Sequence, residues 1–124
     1  MRVIFLLMLF GAAGTLARYG LQGWVQMRTG AGFPSGTLAV NLIGCFLLGA
    51  IGQFSLNHLS VTPEWRTALT IGFLGAFTTF STFGWETVQL LHDGEWGKVA
   101  LYAGGSVLGG LVAVILGMRL GGSL

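Results

Sequence analysis

Residues 72–84 read GFLGAFTTFSTFG, and this stretch decides how the chain is built. Glycines surround a run of hydroxyl residues, namely Thr78, Thr79, Ser81 and Thr82. Glycine and β-branched or hydroxyl residues are poor helix formers. One interpretation is an intact helix whose hydroxyls bond back to its own carbonyls. The other is a break between Gly75 and Thr79, which makes a candidate cation site because unwound carbonyls in membrane proteins commonly coordinate Na⁺.

The composition around this stretch is that of a membrane protein. Only 8% of the residues are charged and 53% are hydrophobic, whereas soluble domains carry about a quarter charged residues. The net charge of +2 comes from scattered cations, so no nucleic-acid surface is indicated. Cys45 is the only cysteine, which excludes a disulfide within the chain and argues against a thiolate metal cluster.

Four mostly apolar segments have the length of about 20 residues that a membrane-crossing helix needs. They cover about 3–27, 36–56, 66–90 and 97–119, and short segments with glycine or proline connect them. We therefore predict an all-α membrane protein with four transmembrane helices in a single domain over residues 1–124.

The basic residues are distributed almost equally between the two sides of the membrane, so they specify the orientation of insertion only weakly. Four crossings place both termini on one side, and cytoplasmic segments normally carry a clear excess of Lys and Arg. The cations on the terminal side are Arg2, Arg66 and Arg119, and those on the other side are Arg28 and Lys98. Two interpretations are open: one orientation that is weakly specified, or dual topology in which copies insert both ways and pair antiparallel.

Glycine is abundant throughout the predicted helices, with 22 residues in total. Gly105 and Gly109 have small-xxx-small spacing, as do Gly117 and Gly121. This spacing lets helix backbones approach closely in lipid. We expect a tightly packed bundle or oligomer.

Three polar residues fall at membrane depth, where each is a functional candidate. Arg18 either extends to an interface or lines a wet vestibule that attracts anions. Asn41 either bonds a neighbouring helix or donates an N–H to a passing anion. Glu86 either pairs with Arg18 or has a structural role.

Phe80 and Phe83 are three residues apart and share one helix face. Ring edges carry partial positive charge and can hold an anion, although spacing alone favours an ordinary packing role. His58 and His92 lie in separate connections without a nucleophile partner, so an enzyme is not expected.

Three stretches carry a family resemblance: GAAGTLARY at 11–19, GTLAVNLIG at 36–44 and GFLGAFTTFSTF at 72–83. In these motifs, and in its length, the chain resembles the Fluc/CrcB family of small fluoride channels. The resemblance implies an antiparallel dual-topology homodimer with two pores in the cell (inner) membrane. It also implies passage of fluoride down its electrochemical gradient, which lowers cytoplasmic fluoride and its toxicity.

The resemblance also assigns roles to individual residues. A structural Na⁺, which is not transported, would be held at the dimer centre by the backbone carbonyls of Gly75 and Thr78. The fluoride pore would be lined by Asn41, Phe80, Phe83, Ser81, Thr82 and Ser106. Ser106 is the only hydroxyl in the middle of the fourth segment, where Gly110 and Val114 replace the later hydroxyls that the family pattern leads us to expect.

Two alternatives belong to other classes. A small multidrug exporter-like transporter shares the size and topology, but it needs a carboxylate within the membrane. Here the first segment offers Arg18, and Glu86 lies near a helix end. A non-conducting membrane assembly subunit suits glycine-rich helices, but it gives no reason for Asn41 and the 78–83 run.

Overall fold

The computed structural model describes residues 1–124, and every regular element in it is a helix. The elements are α1 (Arg2–Thr29), α2 (Ser35–Asn57), α3 (Pro63–Thr67), a π-helix (Ala68–Leu74), α4 (Gly75–Phe77), α5 (Phe80–His92) and α6 (Trp96–Ser123). Helices α1, α2 and α6 are long and apolar enough to cross a membrane. The predicted all-α class is confirmed.

Residues 63–92, which we call the broken segment, form a bent helix. Pro63 begins it, and the Thr62 hydroxyl accepts the Trp65 N–H at 3.5 Å. The π-helix then widens the turn and leads into α4. Helix α4 ends because Thr78 is extended, with φ −89° and ψ 158°, and Thr79 follows with φ −149° and ψ 110°. The break therefore lies inside the range that the sequence indicates.

Helix α5 restarts through a local cap. The Thr79 hydroxyl accepts the Thr82 N–H at 3.3 Å, and it donates to the Thr82 hydroxyl at 2.9 Å. A threonine side chain that accepts an N–H of the first turn is a standard helix start. The TTFST run thus favours a new helix over the continuation of the old one.

Helices α2 and α6 approach closely through glycines. A Cβ on Gly117 would overlap the Phe46 carbonyl oxygen, and one on Gly121 would overlap the Ala50 carbonyl oxygen. Gly49 of α2 similarly faces the Val114 carbonyl. The close pairing predicted from Gly117 and Gly121 is confirmed.

The other predicted glycine pair contributes less to packing. A Cβ on Gly109 would meet only the Leu42 side chain, and nothing lies within 4 Å of a Cβ placed on Gly105. The spacing alone could not distinguish these two pairs, because it does not show which glycines face the backbone of α2 and which face only a side chain or open space.

The packed centre of the chain surrounds the end of α4. Val40, Leu74 and Phe77 form a buried cluster, and Ala17 and Leu21 of α1 pack against it. Gly14 lies against the Phe73 carbonyl with no room for a Cβ. Helices α1 and α2 therefore contact the broken segment from two sides.

Candidate functional site

Asn41 binds the backbone at the break with both ends of its amide. Its Nδ2 donates to the Thr79 carbonyl at 3.0 Å, and its Oδ1 accepts the Thr79 N–H at 2.8 Å. An asparagine side chain has two N–H donors, so one remains available. The sequence left two roles open for Asn41, and the structure shows the interhelical bond.

The break frees backbone carbonyls from their helical partners. Thr79 N–H donates to Asn41 rather than to the Gly75 carbonyl four residues earlier. Thr82 N–H likewise donates to the Thr79 hydroxyl rather than to the Thr78 carbonyl. Gly75 and Thr78 thus present carbonyl oxygens without the bonds a continuous helix would supply.

Arg18 reaches the same region from α1. Its Nε donates to the Ala76 carbonyl at 3.0 Å. Among the carbonyls from Gly75 to Thr79, only those of Ala76 and Thr79 receive a side-chain donor, from Arg18 and Asn41 respectively.

A cavity of about 350 Å³ opens beside the break. No charged side chain lines it. Its walls include most of the residues that the family resemblance assigns to the pore and the cation site, namely Asn41, Gly75, Thr78, Phe80, Phe83 and Ser106. We call it the neutral cavity. The backbone bend brings these distant parts of the sequence together.

The Ser106 hydroxyl differs from the other hydroxyls in the neutral cavity because it is buried without a hydrogen-bond partner. Burying a polar group without a partner is costly, so Ser106 is a candidate ligand position. Ser81 and Thr82 do not line the cavity: Ser81 is exposed, and Thr82 is engaged in the α5 cap.

The two phenylalanines differ in their surroundings. The Phe80 and Phe83 ring centroids are 5.7 Å apart with planes tilted by 42°. Phe83 also contacts Tyr102, with centroids 5.1 Å apart. Phe80 is 83% exposed on the surface of the single chain. The pair therefore extends from the packed interior to an open face.

Glu86 accepts hydrogen bonds from two neutral side chains. The Thr37 hydroxyl donates to its Oε1 at 2.6 Å, and the Tyr102 hydroxyl donates to its Oε2 at 3.3 Å. Gln22 in turn donates to the Thr37 hydroxyl at 2.9 Å. Arg18 and Glu86 do not form the ion pair that the sequence left open. The one ion pair in the structure joins Lys98 and Glu95. Arg18 and Glu86 instead share the wall of a larger cavity of about 720 Å³.

Sequence reasoning missed Thr37 and Tyr102. Thr37 stands in the GTLAVNLIG motif, and Tyr102 is completely buried in an uncharged stretch. A buried tyrosine hydroxyl usually finds a partner, and this was the available signal. It could not identify the partner, because Glu86 reaches Tyr102 only through the packing of α5 on α6.

The fourth predicted segment departs from the family pattern at two positions. Gly110 is buried, and a Cβ there would lie 3.4 Å from the Cys45 sulfur. Val114 presents its backbone to Gly49 of α2. Close packing on α2 therefore accompanies the absence of hydroxyls beyond Ser106.

Comparison with known proteins gives one consistent result. The family model described as "CrcB-like protein, Camphor Resistance (CrcB)" matches residues 5–118. A protein of Nitratidesulfovibrio vulgaris named fluoride-specific ion channel FluC is 48% identical over 98% of each chain. Proteins of the same name from Geobacter metallireducens and from a strain of Thermus thermophilus are 52% and 51% identical, over 95% and 96% of this chain and 95% and 93% of their own.

Proposed function

The chain belongs to the CrcB family, and on that premise we propose that it is a fluoride-specific ion channel. The relatives' printed name describes an ion channel rather than an enzyme. The protein would sit in the inner membrane as a multi-pass protein and pass fluoride down its electrochemical gradient. This flow would lower cytoplasmic fluoride.

The neutral cavity carries the proposal. Fluoride is strongly hydrated, so a path through the membrane must replace its water with other donors. The cavity offers the unpartnered Ser106 hydroxyl, the second N–H of Asn41 and the ring edges of Phe80 and Phe83. A fixed cation would hold the ion too strongly to release it, whereas several weak neutral sites permit both entry and exit.

The cation site fits the donors that the break provides. Na⁺ suits carbonyl oxygens at broken membrane helices, and Gly75 and Thr78 each present a carbonyl released from helical bonding. Bound there, the ion would offset the partial charges of these carbonyls and raise the potential near the pore.

The assembly we propose is an antiparallel dual-topology homodimer with four crossings per chain, the broken segment being the third. Gly75, Phe80 and Ser81 are exposed at and just after the break, and so form an open face of the single chain at this point. Unpaired carbonyls cost free energy when they face lipid, which supports covering this face with a second copy. The near-equal distribution of basic residues supports insertion in both orientations.

Fluoride efflux from liposomes tests the function. Purified protein in vesicles loaded with potassium fluoride should release fluoride, measured with an ion-selective electrode once valinomycin allows potassium to follow. Phe80→Ile and Phe83→Ile should each abolish this release while the dimer remains folded.

Phe46→Ile on α2 is the matched control, because Phe46 does not line the neutral cavity. It should retain most of the parent flux. Vesicles that hold their fluoride with intact parent protein would contradict the channel function. Parent-like flux from both cavity variants would contradict only the role given to the rings.

A further inference from the structure

Arg18 contacts the break in addition to lining the larger cavity. Its Nε donates to the Ala76 carbonyl at 3.0 Å, and Arg18 forms no ion pair. Ala76 lies between Gly75 and Thr78, the two carbonyl donors of the proposed cation site. Resting on that proposed function, we propose that Arg18 is a positioning residue that orients the Gly75 and Thr78 carbonyls for the cation.

The contact belongs to a rigid attachment of α1 to the broken segment. Gly14, one turn before Arg18, packs so closely on the Phe73 carbonyl that a Cβ would overlap it. Ala17 packs against the cluster that contains Leu74 and Phe77. Helix α1 is therefore held against the broken segment by this packing, and it places the Arg18 guanidinium group beside the break.

Arg18 and Asn41 hold the break at two different points. Arg18 binds the Ala76 carbonyl from α1, and Asn41 binds the Thr79 backbone from α2. Peptide planes are stiff, and the Thr78 carbonyl shares its plane with the Thr79 N–H that Asn41 binds, so this bond fixes the direction of the Thr78 carbonyl. Arg18 fixes the Ala76 carbonyl, which belongs to the peptide plane next to that of Gly75, and so limits how the Gly75 carbonyl can turn. Pre-oriented donors bind an ion more tightly because less freedom is lost on binding.

The direction in which an Arg18 substitution changes the Na⁺ affinity distinguishes a positioning role from a purely electrostatic one. A guanidinium beside a cation site repels the cation, so removing its charge would tighten Na⁺ binding if charge were the whole effect. Removing a positioning contact has the opposite consequence. Arg18→Gln should therefore raise the Na⁺ concentration at which half of the cation sites are occupied if our inference is correct. We call this concentration the Na⁺ midpoint and obtain it by fitting the dependence of the Tm on Na⁺ concentration to the binding equation for a ligand of the folded state.

The experiment measures the Tm of the full-length protein in detergent across a Na⁺ series, with N-methyl-D-glucamine keeping the ionic strength constant. A ligand that binds only the folded state raises the Tm with its concentration. We expect the Na⁺ midpoint to rise about tenfold in Arg18→Gln, the size of effect that loss of a charge-assisted hydrogen bond produces. A purely structural role would lower the Tm at every Na⁺ concentration without moving the midpoint.

Two further variants make the result decisive. Arg18→Lys keeps the charge but moves the donor by one bond, and we expect a smaller rise in the midpoint of about threefold. It also replaces Arg18→Gln if that variant does not fold. Arg28→Gln is the matched control, because Arg28 lies on the same helix over the Trp24 ring and away from the break. Its midpoint should equal that of the parent.

The outcomes distinguish this inference from the function on which it rests. An unchanged or lower midpoint in Arg18→Gln, beside a Na⁺-dependent parent, overturns the positioning role and leaves the cation site standing. A parent whose Tm does not respond to Na⁺ overturns the cation site and the positioning role together. Fluoride efflux by that same parent would still support the channel.

Discussion

At the scale of single residues, the break depends on side chains that replace backbone partners. Asn41 gives both an acceptor and a donor to Thr79. Its identity matters more than its polarity, because only an amide offers both groups in this geometry. Ser106 is the contrasting case, since its buried hydroxyl has no protein partner.

Asn41→Asp should weaken both stability and flux. A carboxylate keeps the acceptor for the Thr79 N–H but cannot donate to the Thr79 carbonyl, and it adds charge beside an anion path. We expect a loss of roughly 1–3 kcal/mol in the free energy of unfolding, the cost of leaving a buried group unpaired, together with loss of fluoride efflux. Chemical unfolding in detergent and the electrode assay measure the two effects.

Asn57→Asp provides the matched control for this change. Asn57 is on the same helix and is exposed, and it accepts a hydrogen bond from Gln53 at 3.1 Å. It should alter neither stability nor flux appreciably. If Asn41→Asp behaved like Asn57→Asp, the interhelical bond would have no energetic weight.

Ser106→Ala should separate stability from function. Removing a buried hydroxyl that has no protein partner costs no protein hydrogen bond, so the free energy of unfolding should stay the same or rise by up to about 1 kcal/mol. Flux should fall severalfold, because the neutral cavity loses a donor. A variant that is destabilised, or that conducts at the parent rate, would argue against Ser106 as an ion ligand.

At the scale of elements, the sequence predicted the features that depend on neighbouring residues and missed those that depend on contacts between distant parts of the chain. The helical class came from local composition, and so did the place where a break could occur, since glycines and threonines disfavour a continuous helix. Composition left an intact helix equally open, and the structure shows the break. The π-helix over 68–74 carried no such signal. The partners of Arg18 and Asn41 were also beyond the sequence, because Ala76 and Thr79 contribute backbone groups that every residue type shares.

Helices α2 and α6 should depend on glycine at their closest approach. Gly117→Ala places a Cβ against the Phe46 carbonyl, and relief requires the helices to separate. We expect a loss of about 2 kcal/mol or more, the range seen when a packed interface is overfilled. The measurement is chemical unfolding in detergent.

Gly104→Ala on the same helix is the matched control, because nothing lies within 4 Å of its added Cβ. Alanine favours helix over glycine by about 1 kcal/mol, so this variant should be as stable as the parent or more so. Equal losses in the two variants would mean that the close approach does not govern stability.

At the scale of the whole molecule, the distribution of charge should set orientation. Leu59 is almost fully exposed in the connection between α2 and α3, on the same side as the termini in the four-crossing topology that we propose. Leu59→Lys adds one cation there and should enrich copies whose termini face the cytoplasm. Protease accessibility of a terminal tag in inverted and right-side-out vesicles measures the ratio.

Ala31→Lys is the opposing variant, since Ala31 is exposed in the connection between α1 and α2 on the other side. It should shift the same ratio in the other direction. Co-expression of the two variants should restore flux that each alone loses, because both orientations are then present. Identical ratios in both variants would exclude charge balance as the cause of dual insertion.

The attachment of the break to two separate helices also bears on the speed of conduction. A helix interruption held on only one side could act as a hinge, and hinge motions in proteins take microseconds to milliseconds. Here α1 and α2 each bond the interruption, so swinging α4 against α5 would break contacts on both flanks. Side-chain rotations take picoseconds to nanoseconds, and they are the motions left to an ion moving past Phe80 and Phe83. Permeation should therefore be rapid and continuous, without the pauses of an alternating-access cycle.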